Sequence, residues 1–140
     1  MARRGSPLTL AVDASVVVAA LTGTDAVSAW AQSLLETEEM VAPHLMPAEV
    51  ASMLRRGVYL GQLSPAAASL AHRNLLNLQV ALVPYEPLAE RVWALRANVT
   101  PYDGWYVALA ESLEVSLATL DGPLTRAPGP LCKFVVPPVA

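Results

Sequence analysis

The chain is poor in charge, lysine, cysteine and aromatic residues. Charged residues fill 15% of its 140 positions, against roughly 25% in an ordinary globular domain. Apolar residues reach 54%. That balance excludes intrinsic disorder and predicts a generous core together with apolar surface suited to a partner. Lys133 is the only lysine and the formal net charge is −3, which argues against broad nucleic-acid binding through a basic face. A nucleic-acid enzyme stays compatible, since metal ions can neutralise an acidic site while arginines act locally. Cys132 stands alone, so no internal disulfide can form. This fits a reducing cytoplasm, and with no histidine nearby Cys132 reads as a packing residue. His44 and His72 are the only histidines, and their separation provides no zinc-ligand spacing. The scattered glycines form neither a P-loop nor a dinucleotide fingerprint, and no Gly-x-Ser-x-Gly elbow occurs. Trp30, Trp93 and Trp105 lie at helical spacings with aliphatic residues, which predicts core or interface rather than base stacking.

No membrane segment is expected. Arg3 and Arg4 precede an apolar stretch from Leu8 to Leu21, which is the outline of a signal peptide. Asp13 falls inside that stretch, and an acid there costs about 2.5–3.5 kcal/mol on insertion scales. No small-residue cleavage site follows. The segment reads as a strand and then a buried helix, with a cytoplasmic location.

Strands and helices alternate along the chain. Leu8 to Val12 is a short buried strand, and Ser15 to Leu21 a helix that Asp13 can cap. Thr24 or Asp25 caps a helix to about Thr37, with Val27, Trp30 and Leu34 on one face. Met40 to Ala42 is a strand closed by Pro43. Helices follow at Pro47 to Tyr59 and from Ser64–Pro65 to Leu78. Val80 to Val83 is a strand, Pro87 to Asn98 a helix with Leu88, Val92 and Leu95 inward, and Pro101 to Leu113 another helix. Strands at Ser116 to Leu120 and Phe134 to Val136 complete the set. This pattern predicts an α/β fold with a central, mainly parallel sheet flanked by helices. It forms one domain over residues 1–140, with 137–140 an extended tail.

Only four aspartates are present, and three of them fall at chemically useful places. Asp13 and Asp121 each end an apolar strand. Glu49 and Asp103 each lie in the first turn of a helix. A parallel sheet collects its strand ends at one edge, where ligands bind, so these four acids can meet. Each also fits a plain structural role. Asp13 suits a cap. Glu49 and Asp103 suit the positive end of a helix dipole, and Asp121 before Gly122 and Pro123 suits a turn. Their joint placement is what points to a metal site, because acids gathered in a partly dry crevice repel and a divalent cation relieves them. Ser15 and Thr119 lie two residues from Asp13 and Asp121 and are candidates to orient their carboxylates. Arg55, Arg56 and Arg126 are candidate phosphate contacts.

The segments Val12-Asp13-Ala14-Ser15, Pro47-Ala48-Glu49-Val50, Pro101-Tyr102-Asp103 through Ala110-Glu111, and Ala118-Thr119-Leu120-Asp121 together resemble PIN-domain proteins, most of all the VapC-type toxins of toxin–antitoxin modules. The helix from Glu49 to Arg56 adds to the likeness, which spans about nine tenths of the chain. The resemblance implies a ribonuclease using Mg²⁺ or Mn²⁺ held by Asp13, Glu49, Asp103 and Asp121. It also implies a homodimer and a small antitoxin that occludes the site. Two departures stand out. Pro123 replaces an acid that many relatives carry two residues past the last aspartate, and Gly104 follows Asp103 where Ala, Ser or Cys is usual. Two rivals remain open at this point. One is a catalytically inactive binding protein of the same fold. The other is a receiver-like phosphoacceptor with Asp13 as acceptor, weakened by the lack of a lysine near that edge.

Overall fold

The apolar run Thr9–Val12 forms the middle strand of a parallel sheet. The computed structural model describes residues 8–138. Its strands are β1 (Thr9–Val12), β2 (Glu39–Pro43), β3 (Val80–Val83), β4 (Ser116–Ala118) and β5 (Phe134–Val135). They lie in the order β3-β2-β1-β4-β5, and every neighbouring pair is parallel. Ala11 and Val12 are both 0% exposed. A strand covered on both faces has no polar side to show, which is why β1 reads as an unbroken apolar run. Arg3, Arg4 and the last two positions of the expected tail lie outside the described residues.

Seven helices accompany the strands among the described residues: α1 (Ala14–Thr22), α2 (Ala26–Thr37), α3 (Met46–Tyr59), α4 (Pro65–Leu76), α5 (Ala89–Ala94), α6 (Pro101–Leu113) and α7 (Gly122–Arg126). Four begin with side-chain caps. Asp25 accepts the Ser28 N–H at 2.9 Å, Ser64 that of Ala67 at 3.1 Å, Thr100 that of Asp103 at 3.2 Å, and Asp121, before α7, that of Leu124 at 3.0 Å. Each satisfies an amide that the helix itself leaves free. Gly23 makes the corner between α1 and α2. A Cβ there would stand 1.9 Å from Ser28 Oγ, so only glycine lets the two helices approach this closely.

Strand order reverses once. From β1 the chain steps outward to β2 and β3, then returns to add β4 and β5 on the other side of β1. Right-handed crossovers place the helices before and after such a reversal on opposite faces. The packing agrees: α1 contacts α2, α3 and α4, while α5 packs on α6, and α6 lies on β1, β2 and β4. The switch point therefore falls between the carboxyl ends of β1 and β4, where Val12 is in register with Ala118. Ligands of open α/β sheets bind at that place.

Several expected boundaries change. The helix expected over Pro87–Asn98 is a 3-10 turn at Glu86–Leu88 followed by the short α5; Leu88, Val92 and Leu95 are buried as expected. The Asp121–Pro123 turn instead opens α7, with Asp121 as its cap. β4 ends at Ala118, short of Leu120. Trp93 is no core residue: it is 61% exposed, and the Arg96 guanidinium lies 4.4 Å from its ring centroid. Arg91 makes a two-point ion pair with Glu111 (2.6 and 3.2 Å) and also donates to the Gly129 carbonyl, tying the segment after α7 to α5 and α6. Among the described residues no single helix is long and apolar enough to cross a membrane. α1 and α2 reach that composition only as a pair bent by 109°.

Candidate active site

Asp13 directly follows β1, and its N–H extends the sheet by donating to the Ala118 carbonyl at 3.0 Å. Its carboxylate makes no cap bond to α1. Instead Oδ2 accepts the Thr119 hydroxyl at 2.7 Å and the Ser15 hydroxyl at 3.2 Å. Both hydroxyls also accept backbone amides: Thr119 Oγ1 from Asp121 at 3.0 Å, and Ser15 Oγ from Leu120 at 3.2 Å. Thr119 is 0% exposed, so its hydroxyl must be paired, and Asp13 is the partner. One carboxylate is thereby fixed by two hydroxyls, and the ends of β1 and β4 are stitched together.

Asp121 sits two residues past Thr119 and accepts the Leu124 N–H through Oδ1 at 3.0 Å. Glu49 lies in the first turn of α3 and Asp103 in the first turn of α6. Asp13, Glu49, Asp103 and Asp121 line one open basin of about 390 Å³ together with Ala14, Ser15, Ser52, Met53 and Leu120. Four elements distant in sequence thus bring their acids to the switch point, and among the described residues no basic side chain lines the basin. Burial raises the pKa of Glu49, and the charges on Asp13 and Asp103 raise it further. Burial likewise raises Asp103, with Asp13 and Asp121 adding to the effect. The acids therefore repel across the basin.

Oxygen-only donors of this kind suit a hard divalent cation. Among the described residues no three His, Cys, Asp or Glu side chains form a preassembled cage. An open rim of carboxylates nonetheless fits Mg²⁺, which keeps several of its waters.

The candidate arginines are less central. Arg55, Arg56 and Arg126 are all exposed, and none lines the basin. Arg56 lines a neighbouring groove that shares Met53 with it, and the Arg126 guanidinium folds back over Gly122, the residue after Asp121.

Sequence reasoning missed Tyr106, Ser52 and Met53. Tyr106 is 2% exposed and donates its hydroxyl to Glu49 Oε1 at 2.6 Å; burial and that bond push its pKa well up. The available signal was helical spacing. Tyr106 is three residues past Asp103, and Ser52 and Met53 are three and four past Glu49, so each shares its acid's helix face. A separate hollow of about 530 Å³ beside the start of β4 holds Cys132. Burial pushes that thiol up to about 11, away from the reactive thiolate form.

A parallel five-stranded sheet with acids at its switch point defines the class to which the PIN domain belongs, and the PIN domain model matches residues 10–130 of the chain. Ribonuclease VapC1 of Mycobacterium tuberculosis is 44% identical over 124 residues, covering 88% of this chain and 93% of that protein. Among solved structures, PAE2754 from Pyrobaculum aerophilum superimposes with a TM-score of 0.68 at 24% identity, covering 94% of this chain and 86% of that one. A toxin–antitoxin complex from Klebsiella pneumoniae gives a TM-score of 0.65 at 18% identity, covering 94% and 99%. The chain belongs to the PIN-domain family, in its VapC ribonuclease branch.

Proposed function

We propose that the chain is a metal-dependent endoribonuclease toxin that hydrolyses RNA phosphodiester bonds and is held in check by a small antitoxin protein. The observation that carries this reading is the basin itself: four carboxylates, two with raised pKa, and no basic side chain among the described residues that line it. Asp13, Glu49, Asp103 and Asp121 would hold Mg²⁺ or Mn²⁺. When bound, such a cation lowers the pKa of water and offsets charge building on the phosphate. Thr119 and Ser15 keep the Asp13 carboxylate in one orientation through their hydroxyls. The amino ends of α1, α3 and α6 face the same edge and add amide dipoles that favour an anionic substrate. Arg56, in the neighbouring groove, and Arg126, over Gly122, are candidate contacts for the phosphates of a bound strand. In the reaction a water oxygen bonds to phosphorus as one ester oxygen leaves.

Partners follow from the surface. Tyr59 and Leu60 at the end of α3 are 85% and 52% exposed, adjacent apolar side chains open to a partner. They suit a homodimer contact or an antitoxin segment, in line with the Klebsiella complex of the same fold. A cytoplasmic location belongs to the same reading, with Cys132 free.

The test is cleavage of single-stranded RNA by purified protein in Mg²⁺ or Mn²⁺. Activity that EDTA abolishes, and that Asp13→Asn and Asp103→Asn both lack while remaining folded, supports the reading. Full cleavage in EDTA or in either variant refutes it. No cleavage under any metal condition, with an antitoxin still bound on co-expression, would favour an inactive binding protein of this fold.

A further inference from the structure

We propose that the Tyr106 hydroxyl positions Glu49, anchoring one carboxylate oxygen so that the other is presented to the cation; this rests on the metal-dependent reading of the basin. Tyr106 is buried in α6 beneath the basin, and its hydroxyl reaches Glu49 Oε1 at 2.6 Å on a different helix. Among the described residues no protein donor reaches Oε2 of Glu49, so that oxygen is free for another partner. Asp13 has two hydroxyl anchors, Thr119 and Ser15. Glu49 has a longer side chain with more rotamers to lose, and Tyr106 is its counterpart anchor. α6 thus supplies both an acid of the basin, Asp103, and, one turn later, the group that orients the acid of α3.

A purely structural explanation exists. A buried tyrosine hydroxyl needs an acceptor, and Glu49 could serve only that need. The two explanations differ in what they do to metal binding. Loss of a partner that orients a ligand typically weakens metal affinity by about 10–100-fold, whereas loss of a packing bond lowers stability and leaves affinity alone.

The experiment compares Mn²⁺ titrations, followed by the electron paramagnetic resonance of free Mn²⁺, for the parent, Tyr106→Phe, Glu49→Gln and the double variant. Tyr106→Phe should bind Mn²⁺ about 10-fold more weakly or worse and cut RNA more slowly with little change in KM at saturating Mn²⁺. In the Glu49→Gln background the same change should have no further effect on affinity, because the anchor then has no ligand to orient. Parent affinity in Tyr106→Phe, or an equal additional loss in the double variant, overturns the proposal. Should Tyr106→Phe fail to fold by circular dichroism, Glu49→Asp asks the same question. It keeps the charge but withdraws it from the hydroxyl, and unchanged affinity there is equally fatal. A parent that binds no Mn²⁺ would bring down the metal reading itself, a result distinct from parity between parent and variant.

Discussion

Removing the charge of Asp103 should stabilise the metal-free protein and weaken the metal-bound one. Asp103 is the cleanest of the four acids for this purpose. Asp13 holds two hydroxyls and Asp121 caps α7, whereas Asp103 is held up mainly by burial and by the charges of Asp13 and Asp121. A round basin of 390 Å³ would be about 9 Å across, so charges facing each other over it repel by about 0.5 kcal/mol in water and about 2 kcal/mol at an effective dielectric of 20. The basin is open, which favours a value toward the lower figure, about 0.5–1 kcal/mol for each of the two pairs. Against this gain of about 1–2 kcal/mol stands the favourable dipole of α6, about 0.3–1 kcal/mol at its first turn. Asp103→Asn should therefore gain about 0.5–1 kcal/mol without metal, roughly a 2–3 °C rise in Tm for a chain of this size. Saturating Mn²⁺ reverses the order: at 100 times its Kd the cation adds about 2.7 kcal/mol to the parent and much less to the variant. Melting curves with and without Mn²⁺ measure both effects. A variant less stable than the parent in EDTA, or equal Mn²⁺ shifts in the two proteins, would show that Asp103 serves the helix end and not the basin.

Three further outcomes are expected. Because Glu49 and Asp103 have raised pKa values, the folded protein binds more protons than the unfolded chain from the ordinary carboxylate range up to those values. Metal-free stability should then fall as pH rises through that window and recover on mild acidification. The difference in Tm between the parent and a Glu49→Gln, Asp103→Asn double variant isolates this effect, and a difference that stays flat with pH rules it out. Thr119→Val should cost about 1–3 kcal/mol in chemical denaturation, since it strands the Asp121 N–H and withdraws a hydroxyl from Asp13; Thr119→Ser should restore most of it. Gly104→Ala should raise stability by about 0.5–1 kcal/mol, because a Cβ there meets Val92 Cγ1 at an ordinary 3.4 Å; a drop in Tm would mean that α5 and α6 cannot give even that much.

The amino-acid sequence by itself determined the alternation of strands and helices, the parallel sheet, and the four acids at strand ends and first turns. These are local matters. An apolar run such as Leu10–Val12, a Thr-Pro pair opening α6, and an acid in a first turn each reflect the chain within a few residues. The sequence also left open whether the Asp13 carboxylate caps α1, and there tertiary structure decided: it makes no cap bond. That carboxylate leaves the first amides of α1 uncapped and accepts instead the hydroxyl of Thr119, buried at the end of β4 and 106 residues later. The bond from Tyr106 to Glu49, 57 residues apart, was invisible for the same reason: no local pattern reports which buried donor faces which acid across two helices. Pro87–Asn98 shows the limit in the other direction. Its apolar periodicity is real, and Leu88, Val92 and Leu95 are buried, yet α5 is regular only over Ala89–Ala94. The chain must turn after Leu95 to bring α6, and Asp103 with it, back to the switch point between β1 and β4.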